Sequence, residues 1–310
     1  MSFLDDIFHE TATEKEINRI LLIDFSNILW ATWYGQVRFD RTLKDDHEKF
    51  ALWRYLLLNQ ISSLKNKFQP DEVIMAIDSS SWRQKAFQFY KAERRLKRGQ
   101  DKTFNYQEFF DTAEQFIQEI TDTFPYKVIR EDDAEADDII AILTKELSIQ
   151  GKDIVIVSRD KDFKQLLDMD NVRLFDPQDK KFKTVEDPKS FLIDHILRGD
   201  SSDGIPNMLS DDNVFVNSDK RQKAITKKVR EEVAELGLEE YAIRNNLSDN
   251  YTRNKLLIEL TDENYPADLK IKIIFNYNNT VPTVGNYIKV VQFFKKHKIK
   301  SLLEKADQFL

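Results

Sequence analysis

Nine acidic residues stand in short motifs whose spacing could build a metal-dependent catalytic site. They fall in five separate stretches of the chain and are Asp24, Asp78, Glu135, Asp137, Asp138, Asp160, Asp162, Asp200 and Asp203. So many carboxylates in one crevice would repel one another strongly unless cations neutralised them. Two magnesium ions about 4 Å apart would neutralise the charge, activate a water, clamp a scissile phosphate and stabilise the leaving oxygen. The acidic set therefore predicts metal-assisted hydrolysis of a phosphodiester.

The composition restricts which metal such a site can hold. The chain has no cysteine and four histidines, so thiolate metal sites and disulfides are excluded. Carboxylate, carbonyl and water oxygens favour Mg²⁺, with Mn²⁺ as a substitute. We therefore expect two Mg²⁺ ions as the cofactor.

Each acidic motif alone has a simpler explanation. An Asp after a strand, such as Asp24 or Asp78, is commonly a turn former or a helix N-cap. Glu135 and Asp137 could merely complement a helix dipole, and they converge only at an irregular first turn, since residues two apart do not share a face in mid-helix. The Asp-Lys-Asp stretch at 160–162 resembles part of a calcium loop but lacks its Gly and distal Glu. The metal-site prediction rests on the combination.

Four short apolar runs would deliver these carboxylates to one edge of a sheet. They are predicted as strands at Ile20–Ile23, Val73–Ile77, Tyr126–Ile129 and Ile154–Val157. Helical periodicity between them, at Phe50–Lys65 and Ala136–Leu147, predicts an α/β fold whose central sheet is mostly parallel and flanked by helices. In such sheets, sites form in the crevice beyond the C-terminal ends of the strands.

The pattern changes to helical segments after about Pro188. These helices are predicted at Phe191–Arg198, Ala224–Leu236, Tyr251–Leu260, Ala267–Asn276, Asn286–Lys296 and Ile299–Phe309. We therefore divide the chain into an α/β nuclease domain at 1–188 and a smaller helical region at 189–310. The sequence leaves open whether that region has a core of its own.

Basic residues are clustered, although the net charge of −7 would by itself argue against a nucleic-acid partner. Segment 81–102, which we call the arch segment, holds eight basic residues and two acidic ones. Segment 220–230 holds six basic residues and no acidic one. Lys91 and Arg94 would share a helical face that could reach a phosphate, or a face that is simply solvated. Trp82, Phe87 and Phe89 alternate with basic residues around Arg83. This pattern is typical of a channel for single-stranded nucleic acid, but the aromatic residues could equally belong to the core.

Nothing in the sequence predicts a membrane protein or a secreted one. The segment Met1–Glu10 lacks a basic-then-apolar signal pattern, and apolar stretches such as Ile154–Val157 are far shorter than the ~20 residues that span a bilayer. A cytoplasmic location is the expectation.

Taken in order, the acidic motifs resemble those of the flap endonuclease and 5′-3′ exonuclease family. The motifs that carry the resemblance are Leu22-Ile-Asp24-Phe-Ser26, Ala76-Ile-Asp78, Glu135-Ala-Asp137-Asp138, Ser158-Arg-Asp160-Lys-Asp162-Phe163 and Gly199-Asp200-Ser-Ser-Asp203-Gly-Ile-Pro206. Within the family the resemblance is strongest to the ribonuclease H type of T-even bacteriophages, and it extends from about residue 20 to 206. It implies a PIN-like 5′-nuclease fold.

Carried over residue by residue, the resemblance implies two metal positions. One would be surrounded by Asp24, Asp78, Glu135 and Asp137. The other would be surrounded by Asp160, Asp162 and Asp203. Asp138 and Asp200 would act on the metals through water.

The resemblance also assigns the basic segments to nucleic acid. Lys91 and Arg94 would stabilise charge on the reacting phosphate, and Tyr90 would stack on a base. Further contacts are expected from Arg83, Arg95, Lys220, Arg221, Lys223, Lys227 and Lys228. Gly199–Pro206 resembles the start of a helix-three-turn-helix element that binds duplex DNA, but Asn207–Ser218 replaces its glycine-rich turn, so we do not expect the family's potassium site.

The implied activity is that of a 5′-3′ exonuclease and flap endonuclease that depends on a divalent metal. It would hydrolyse RNA primers in RNA–DNA hybrids, and DNA flaps or duplexes, near their 5′ ends during primer removal in replication. Expected partners are branched or 5′-ended duplex DNA, RNA–DNA hybrid, a single-strand-binding protein and a sliding clamp. The chain is expected to be a monomer, in the host-cell cytoplasm if a phage encodes it.

Three other functions compete with this one. A non-catalytic protein that binds branched DNA would use the same crevice and basic segments, but seven retained acids are hard to explain without metals. A compact toxin-type ribonuclease usually lacks the basic insertion and the long helical region. A phosphatase acting on small molecules would leave both basic segments without a role.

Overall fold

A mixed six-stranded sheet lies at the centre of the computed structural model, which describes residues 18–310. Met1–Glu10, where no signal peptide is expected, lies outside the described residues. The strands are β1 (Arg19–Asp24), β2 (Glu72–Ala76), β3 (Lys127–Ile129), β4 (Asp153–Val157), β5 (Val172–Asp176) and β6 (Lys181–Lys183). They lie in the order β3-β2-β1-β4-β5-β6, and β6 is antiparallel to β5 while the other pairs are parallel. The predicted fold class and four predicted strands are confirmed.

Helices cover both faces of the sheet and form most of the chain after residue 188. They are α1 (Phe25–Thr32), α2 (Asp46–Phe68), α3 (Trp82–Ala86), α4 (Ala92–Gln100), α5 (Tyr106–Thr123), α6 (Ala136–Ile149), α7 (Pro188–Arg198), α8 (Lys227–Leu236), α9 (Leu238–Arg244), α10 (Ser248–Ile258), α11 (Leu269–Asn279) and α12 (Tyr287–Lys296). A π-helical turn lies at Trp33–Val37, and 3₁₀ helices lie at Asp162–Asp168 and Lys300–Phe309. Within residues 18–310, no helix is long and apolar enough to cross a membrane.

Several helix predictions differ from the structure by two to four residues at their ends; α2, for example, begins at Asp46 instead of Phe50, and α10 begins at Ser248 instead of Tyr251. The helix predicted from Ala224 begins at Lys227, because the Thr226 hydroxyl accepts a hydrogen bond from the backbone N–H of Val229 and so caps its first turn. The helix predicted at Ile299–Phe309 is a 3₁₀ helix that begins at Lys300.

The strands alternate their side chains between two apolar clusters. Leu21 and Ile23 of β1 point to the cluster that includes α2 and α5, while Ile20 and Leu22 point to the cluster built on α6. Helix α12 adds to the first cluster and α11 to the second, and a third cluster joins the arch segment to α7, α9 and α10. Each cluster therefore contains residues from both sides of position 188, and the division there stays a prediction.

The sheet changes direction beside β1. The chain moves from β1 through β2 to β3 on one side and later returns to β4 on the other. Loops that leave β1 and β4 therefore diverge, and they open a crevice at the C-terminal ends of these strands. Asp24 ends β1 and Ser158 follows β4, so both lie at the mouth of this crevice.

Candidate active site

A crevice of about 600 Å³ opens at the C-terminal ends of the strands. Seven of the nine predicted acidic residues line it, namely Asp24, Asp78, Glu135, Asp137, Asp160, Asp200 and Asp203. Asp138 is fully buried behind this lining, and the backbone N–H of Asp162 donates to Asp160 Oδ1 at 2.9 Å. The structure thus brings the strand-end carboxylates together, as parallel strands require.

Asp24 is both a helix cap and a wall of the crevice. Its Oδ1 accepts a hydrogen bond from the Asn27 backbone N–H at 3.0 Å, which caps α1, and its Oδ2 accepts one from the Ser158 hydroxyl at 2.8 Å. Burial, together with the negative charge of Asp78, raises the pKa of Asp24 from 3.8 to about 7. The capping explanation and the site explanation therefore apply to the same residue.

Glu135 and Asp137 lie in the first turn of α6, which is the geometry their convergence requires. Glu135 is the N-cap residue, and Asp138 Oδ2 accepts a hydrogen bond from the Glu135 backbone N–H at 3.0 Å, forming a capping box. Asp78 Oδ1 accepts a hydrogen bond from the Ala136 N–H at 2.8 Å, which ties the end of β2 to the start of α6.

Lys91 connects the two predicted groups of metal ligands. Its ammonium donates to Glu135 Oε1 and lies 3.6 Å from Asp203 Oδ2. Glu135 Oε2 also accepts hydrogen bonds from the hydroxyls of Tyr90 at 2.7 Å and Ser81 at 2.8 Å. Burial alone would raise the pKa of Glu135, but the Lys91 ammonium and the Arg83 guanidinium outweigh it and lower this pKa to about 2. Glu135 is therefore ionised and already paired with cationic side chains.

The second group of acids follows β4. Burial is the main reason that the pKa values of Asp160 and Asp162 are raised, and nearby carboxylates raise them further. Asp162 Oδ1 is buried and has no hydrogen-bond partner within the described residues. Such carboxylates are stabilised in their charged form by a cation.

Two glycines hold Asp200 and Asp203 in place. Gly199 has φ +67°, and a Cβ there would lie 2.4 Å from the carbonyl oxygens of Ile205 and Pro206, so only glycine fits. Gly204 has φ +73°, and its Cβ would lie 2.8 Å from the carbonyl oxygen of Phe89. This loop packs closely on the arch segment, where the Lys91 N–H donates to the Asp203 carbonyl at 2.7 Å.

Two residues that were predicted to contact nucleic acid are buried instead. Tyr90 is 1% exposed and its hydroxyl donates to Glu135, so its ring has no free face on which a base could stack. Arg83 is 1% exposed, and its guanidinium forms an ion pair of 2.8 Å with Asp138 and a hydrogen bond of 2.9 Å to the Leu257 carbonyl. Arg83 is buried because the acidic residues in the first turn of α6 need a positive charge beside them in the interior.

Apart from Lys91, whose side chain is 19% exposed and paired with Glu135, the other predicted nucleic-acid contacts are accessible. Arg94 and Arg95 are exposed on the arch segment, and Arg94 donates to Asp203 Oδ1 at 3.0 Å on the rim of the crevice. The remaining five lie outside the crevice lining and are Lys220, Arg221, Lys223, Lys227 and Lys228. Three of them lie in the loop before α8 and two on its first turn.

A family model described as 5′-3′ exonuclease, N-terminal resolvase-like domain, matches residues 19–192, more than half of the chain. The chain belongs to the 5′-3′ exonuclease family. It is 28% identical over 302 residues to the ribonuclease H of Enterobacteria phage T4, across 94% of this chain and 95% of that protein. It is 26% identical over 183 residues to the flap endonuclease Xni of Colwellia psychrerythraea, across 55% of this chain and 60% of that protein.

A solved structure shares the fold of this exonuclease-family chain. It is the bacteriophage T5 flap endonuclease in a complex with DNA and metal ions, which matches with a TM-score of 0.57 over 94% of this chain and all of the other at 18% identity. The family, the fold and the nuclease class predicted from the sequence are thereby confirmed.

Several residues of this exonuclease-family site were not singled out from the sequence. A second cavity of about 550 Å³ shares Asp78, Lys91, Arg94 and Glu135 with the crevice. The two also share Trp30 and Arg98, and the second cavity is further lined by Arg95, Phe110 and Arg130. Arg95 was an expected contact and Arg98 lies in the basic arch segment. Trp30 of α1, Phe110 of α5 and Arg130 after β3 carry no local signal and are brought together only by the fold.

The residues fit the divalent metals on which exonucleases of this class depend. The donors are carboxylate oxygens, several of which are buried with raised pKa values, and the side chain of Asp162 offers an unpartnered oxygen. One ligand atom each from Asp162, His195 and Asp200 lies within 4.8 Å of the others. The histidine of this group was not predicted from the sequence.

The raised pKa of Asp24 predicts that the metal-free protein loses stability as pH rises. An acid whose folded pKa exceeds its unfolded value adds stability below the unfolded pKa, and that stability is lost as pH rises through the folded pKa. For Asp24 this window runs from 3.8 to about 7. Between about pH 5 and about pH 8 the loss is at most about 3 kcal/mol. Thermal unfolding in EDTA should shift to lower temperature over this range, and excess Mg²⁺ should reverse the shift.

Asp24→Asn is the control for this prediction, because its amide is uncharged throughout. The melting temperature of this variant in EDTA should depend less on pH than that of the unaltered protein. Glu135 and Asp200 do not interfere, because their lowered pKa values place their ionisation below this window. An equal pH dependence of the two proteins would contradict the assignment to Asp24.

Proposed function

We propose that the chain is a Mg²⁺-dependent 5′-nuclease that hydrolyses phosphodiester bonds near the 5′ ends of RNA primers in RNA–DNA hybrids and of DNA flaps or duplexes. The observation that carries this proposal is the crevice itself, in which seven carboxylates face Lys91 and Arg94 at the C-terminal ends of the strands. Relatives named ribonuclease H and flap endonuclease support the choice of substrates. Mn²⁺ would substitute for Mg²⁺ because it accepts the same oxygen ligands.

The acidic residues would hold two ions. The first would be held by Asp24, Asp78, Glu135 and Asp137. The second would be held by Asp160, Asp162 and Asp203. Asp138 and Asp200 would contact the ions through water. When bound, the ions supply the positive charge that activates a water and stabilises the leaving oxygen.

Lys91 and Arg94 would act on the scissile phosphate. Lys91 is now paired with Glu135, and an ion that binds Glu135 would release the ammonium toward the substrate. Arg94 is 43% exposed in its side chain and stands beside Asp203 on the rim. Two cationic donors on one side of the phosphate would offset the negative charge that grows in the transition state. The products would be a 5′-phosphate and a strand ending in a 3′-hydroxyl.

The second cavity would receive the unpaired 5′ strand. It contains Arg95, Arg98 and Arg130 for phosphates, and Trp30 and Phe110 as apolar surfaces for bases. A single strand is held in this way by alternating basic and aromatic groups. Because the cavity shares residues with the crevice, a strand lying in it would continue directly to the metals.

The basic residues after the crevice loop would contact the duplex backbone. Lys220, Arg221 and Lys223, with Lys227 and Lys228 of α8, are exposed, and contacts from such residues to phosphates would be independent of sequence. The T5 flap endonuclease bound to DNA supports a nucleic-acid partner. A replication setting in the host-cell cytoplasm, with a single-strand-binding protein and a sliding clamp, belongs to the same proposal.

The test is a denaturing-gel assay on 5′-labelled substrates. A 5′-flap duplex, an RNA-primed DNA duplex, a blunt duplex and a single strand would be incubated with the protein in Mg²⁺ or in EDTA. We expect short 5′ products from the flap and the primed duplex in Mg²⁺ alone, with slower cleavage of the single strand. Tight binding of the flap without cleavage in Mg²⁺ or Mn²⁺ would instead favour the non-catalytic branched-DNA-binding protein.

A further inference from the structure

A buried histidine stands beside the second group of acids and has no role in the proposed function. His195 lies in the last turn of α7 and is 5% exposed. Its Nε2 lies 3.3 Å from Asp200 Oδ2, and its Nδ1 lies 3.4 Å from Asp162 Oδ1. Nδ1 and the facing oxygen of Asp162 are both buried, and neither has a hydrogen-bond partner within the described residues.

The surroundings of Asp200 fix which ring nitrogen carries the proton. Asp200 Oδ1 accepts hydrogen bonds from the Ser202 N–H at 2.8 Å and the Ser202 hydroxyl at 2.5 Å, and Oδ2 lies 2.9 Å from the Lys161 ammonium. A carboxylate with so many donors is an acceptor, so Nε2 donates to it. In the neutral imidazole, Nδ1 then presents a lone pair toward the oxygen of Asp162.

Two lone pairs that face each other in a buried place need a proton or a metal ion between them, and the 3.4 Å that separates these atoms is longer than an ordinary hydrogen bond through a shared proton. A bridging water would need about 2.8 Å to each atom, and the angle of roughly 75° is too acute for its two hydrogens. A metal ion with bonds of about 2.1 Å to both atoms would enclose an angle of roughly 110°, which suits a tetrahedral ion. The contact from Nε2 to Asp200 is the carboxylate–histidine–metal arrangement that orients an imidazole ligand.

We propose that Nδ1 of His195 and Oδ1 of Asp162 form a binding site for Zn²⁺. Imidazole nitrogen favours Zn²⁺, whereas Mg²⁺ takes oxygen ligands. Because Asp162 also belongs to the second group of proposed Mg²⁺ ligands, Zn²⁺ here would compete with Mg²⁺ for that position. The proposal deepens the proposed function and rests on it only for this shared ligand. The site would make the nuclease sensitive to Zn²⁺.

Zn²⁺ affinity and the Co²⁺ absorption spectrum test the site without any nucleic acid. We would compare the unaltered protein with His195→Gln, and use His297→Gln as the matched control, since His297 contacts Glu119 instead. Zn²⁺ affinity, measured by competition with a chromogenic chelator, should fall roughly 10- to 100-fold in His195→Gln and stay unchanged in the control. Co²⁺ should give a visible spectrum with tetrahedral intensity that only His195→Gln lacks.

A measurement on the unaltered chain covers the case in which His195→Gln does not fold. With ¹⁵N-labelled histidine, Zn²⁺ should shift the Nδ1 resonance of one imidazole, and the same resonance should still be present and shift in His297→Gln. Equal Zn²⁺ affinities in all three proteins, or no imidazole shift on saturation with Zn²⁺, would overturn the proposal.

Cleavage of the flap in Mg²⁺ is measured on the same samples. Cleavage without a His195-dependent Zn²⁺ site contradicts only this inference, and a Zn²⁺ site without cleavage contradicts only the proposed nuclease function.

Discussion

Asp160→Asn should abolish most nuclease turnover while the protein stays folded. Asp160 lines the crevice directly after β4, and an amide in its place is a poor ligand for a divalent ion. Loss of one ligand should remove several kcal/mol of transition-state stabilisation, or roughly 10²- to 10⁴-fold in kcat. An Asn oxygen can still accept the hydrogen bond from the Asp162 N–H. Unfolding in EDTA should therefore occur at the same temperature or slightly higher, since one buried charge is gone. Single-turnover cleavage of the 5′-flap measures the effect.

Asp168→Asn is the matched control for this prediction. Asp168 ends the 3₁₀ helix that begins two residues after Asp160, but its side chain is 59% exposed and lies outside the crevice. This variant should cleave at the rate of the unaltered protein. If Asp160→Asn and Asp24→Asn both keep full turnover, the carboxylate crevice is not the catalytic site.

Arg83→Met should destabilise the fold more than any change on the surface of the arch segment. The Arg83 side chain lies within 3.3 Å of Glu135 and 2.8 Å of Asp138, and all three are buried. Methionine fills similar space but leaves these carboxylates without their counter-charge. Breaking a buried pair on one side costs about 3–5 kcal/mol. Denaturant unfolding in EDTA measures the free energy of unfolding without a contribution from bound metal.

Lys85→Met, on the same helix, is the control that shows whether the loss of stability in Arg83→Met comes from the buried position or from the loss of a positive charge anywhere on this helix. The Lys85 side chain is 70% exposed and pairs with Asp133 on the surface, where water and salt screen an ion pair and leave it little effect on stability. Equal stability losses in the two variants would show that the buried network around Arg83 is not special. A double change, Arg83→Met with Asp138→Leu, should recover part of the loss, because it removes one of the unpaired charges.

The order of strands and acids could be predicted from the sequence because both signals are local. An apolar run followed by an acid marks the end of a buried strand, and β1, β2 and β4 follow this rule. Strands β5 and β6 do not, because β5 mixes an arginine into its apolar pattern and β6 is a three-residue edge strand with two exposed residues. Edge strands of this length are formed by their neighbours and carry little signal of their own.

The roles of Arg83, Tyr90 and His195 depend on contacts between segments far apart in the chain. Basic and aromatic residues in one segment look alike whether they face solvent or a buried carboxylate. Only the packing of the arch segment against α6 reveals that Arg83 and Tyr90 serve Glu135 and its neighbours. His195 stands five residues before Asp200, yet nothing local indicates that it faces Asp162 across 33 residues of chain.

The most direct test of the two-metal crevice is anomalous diffraction from crystals of the unaltered protein soaked in Mn²⁺. We expect two peaks about 4 Å apart, one beside Asp24, Asp78, Glu135 and Asp137 and the other beside Asp160, Asp162 and Asp203. Protein that cleaves the 5′-flap in the same Mn²⁺ solution but shows no peak in the crevice would contradict the assignment of this site.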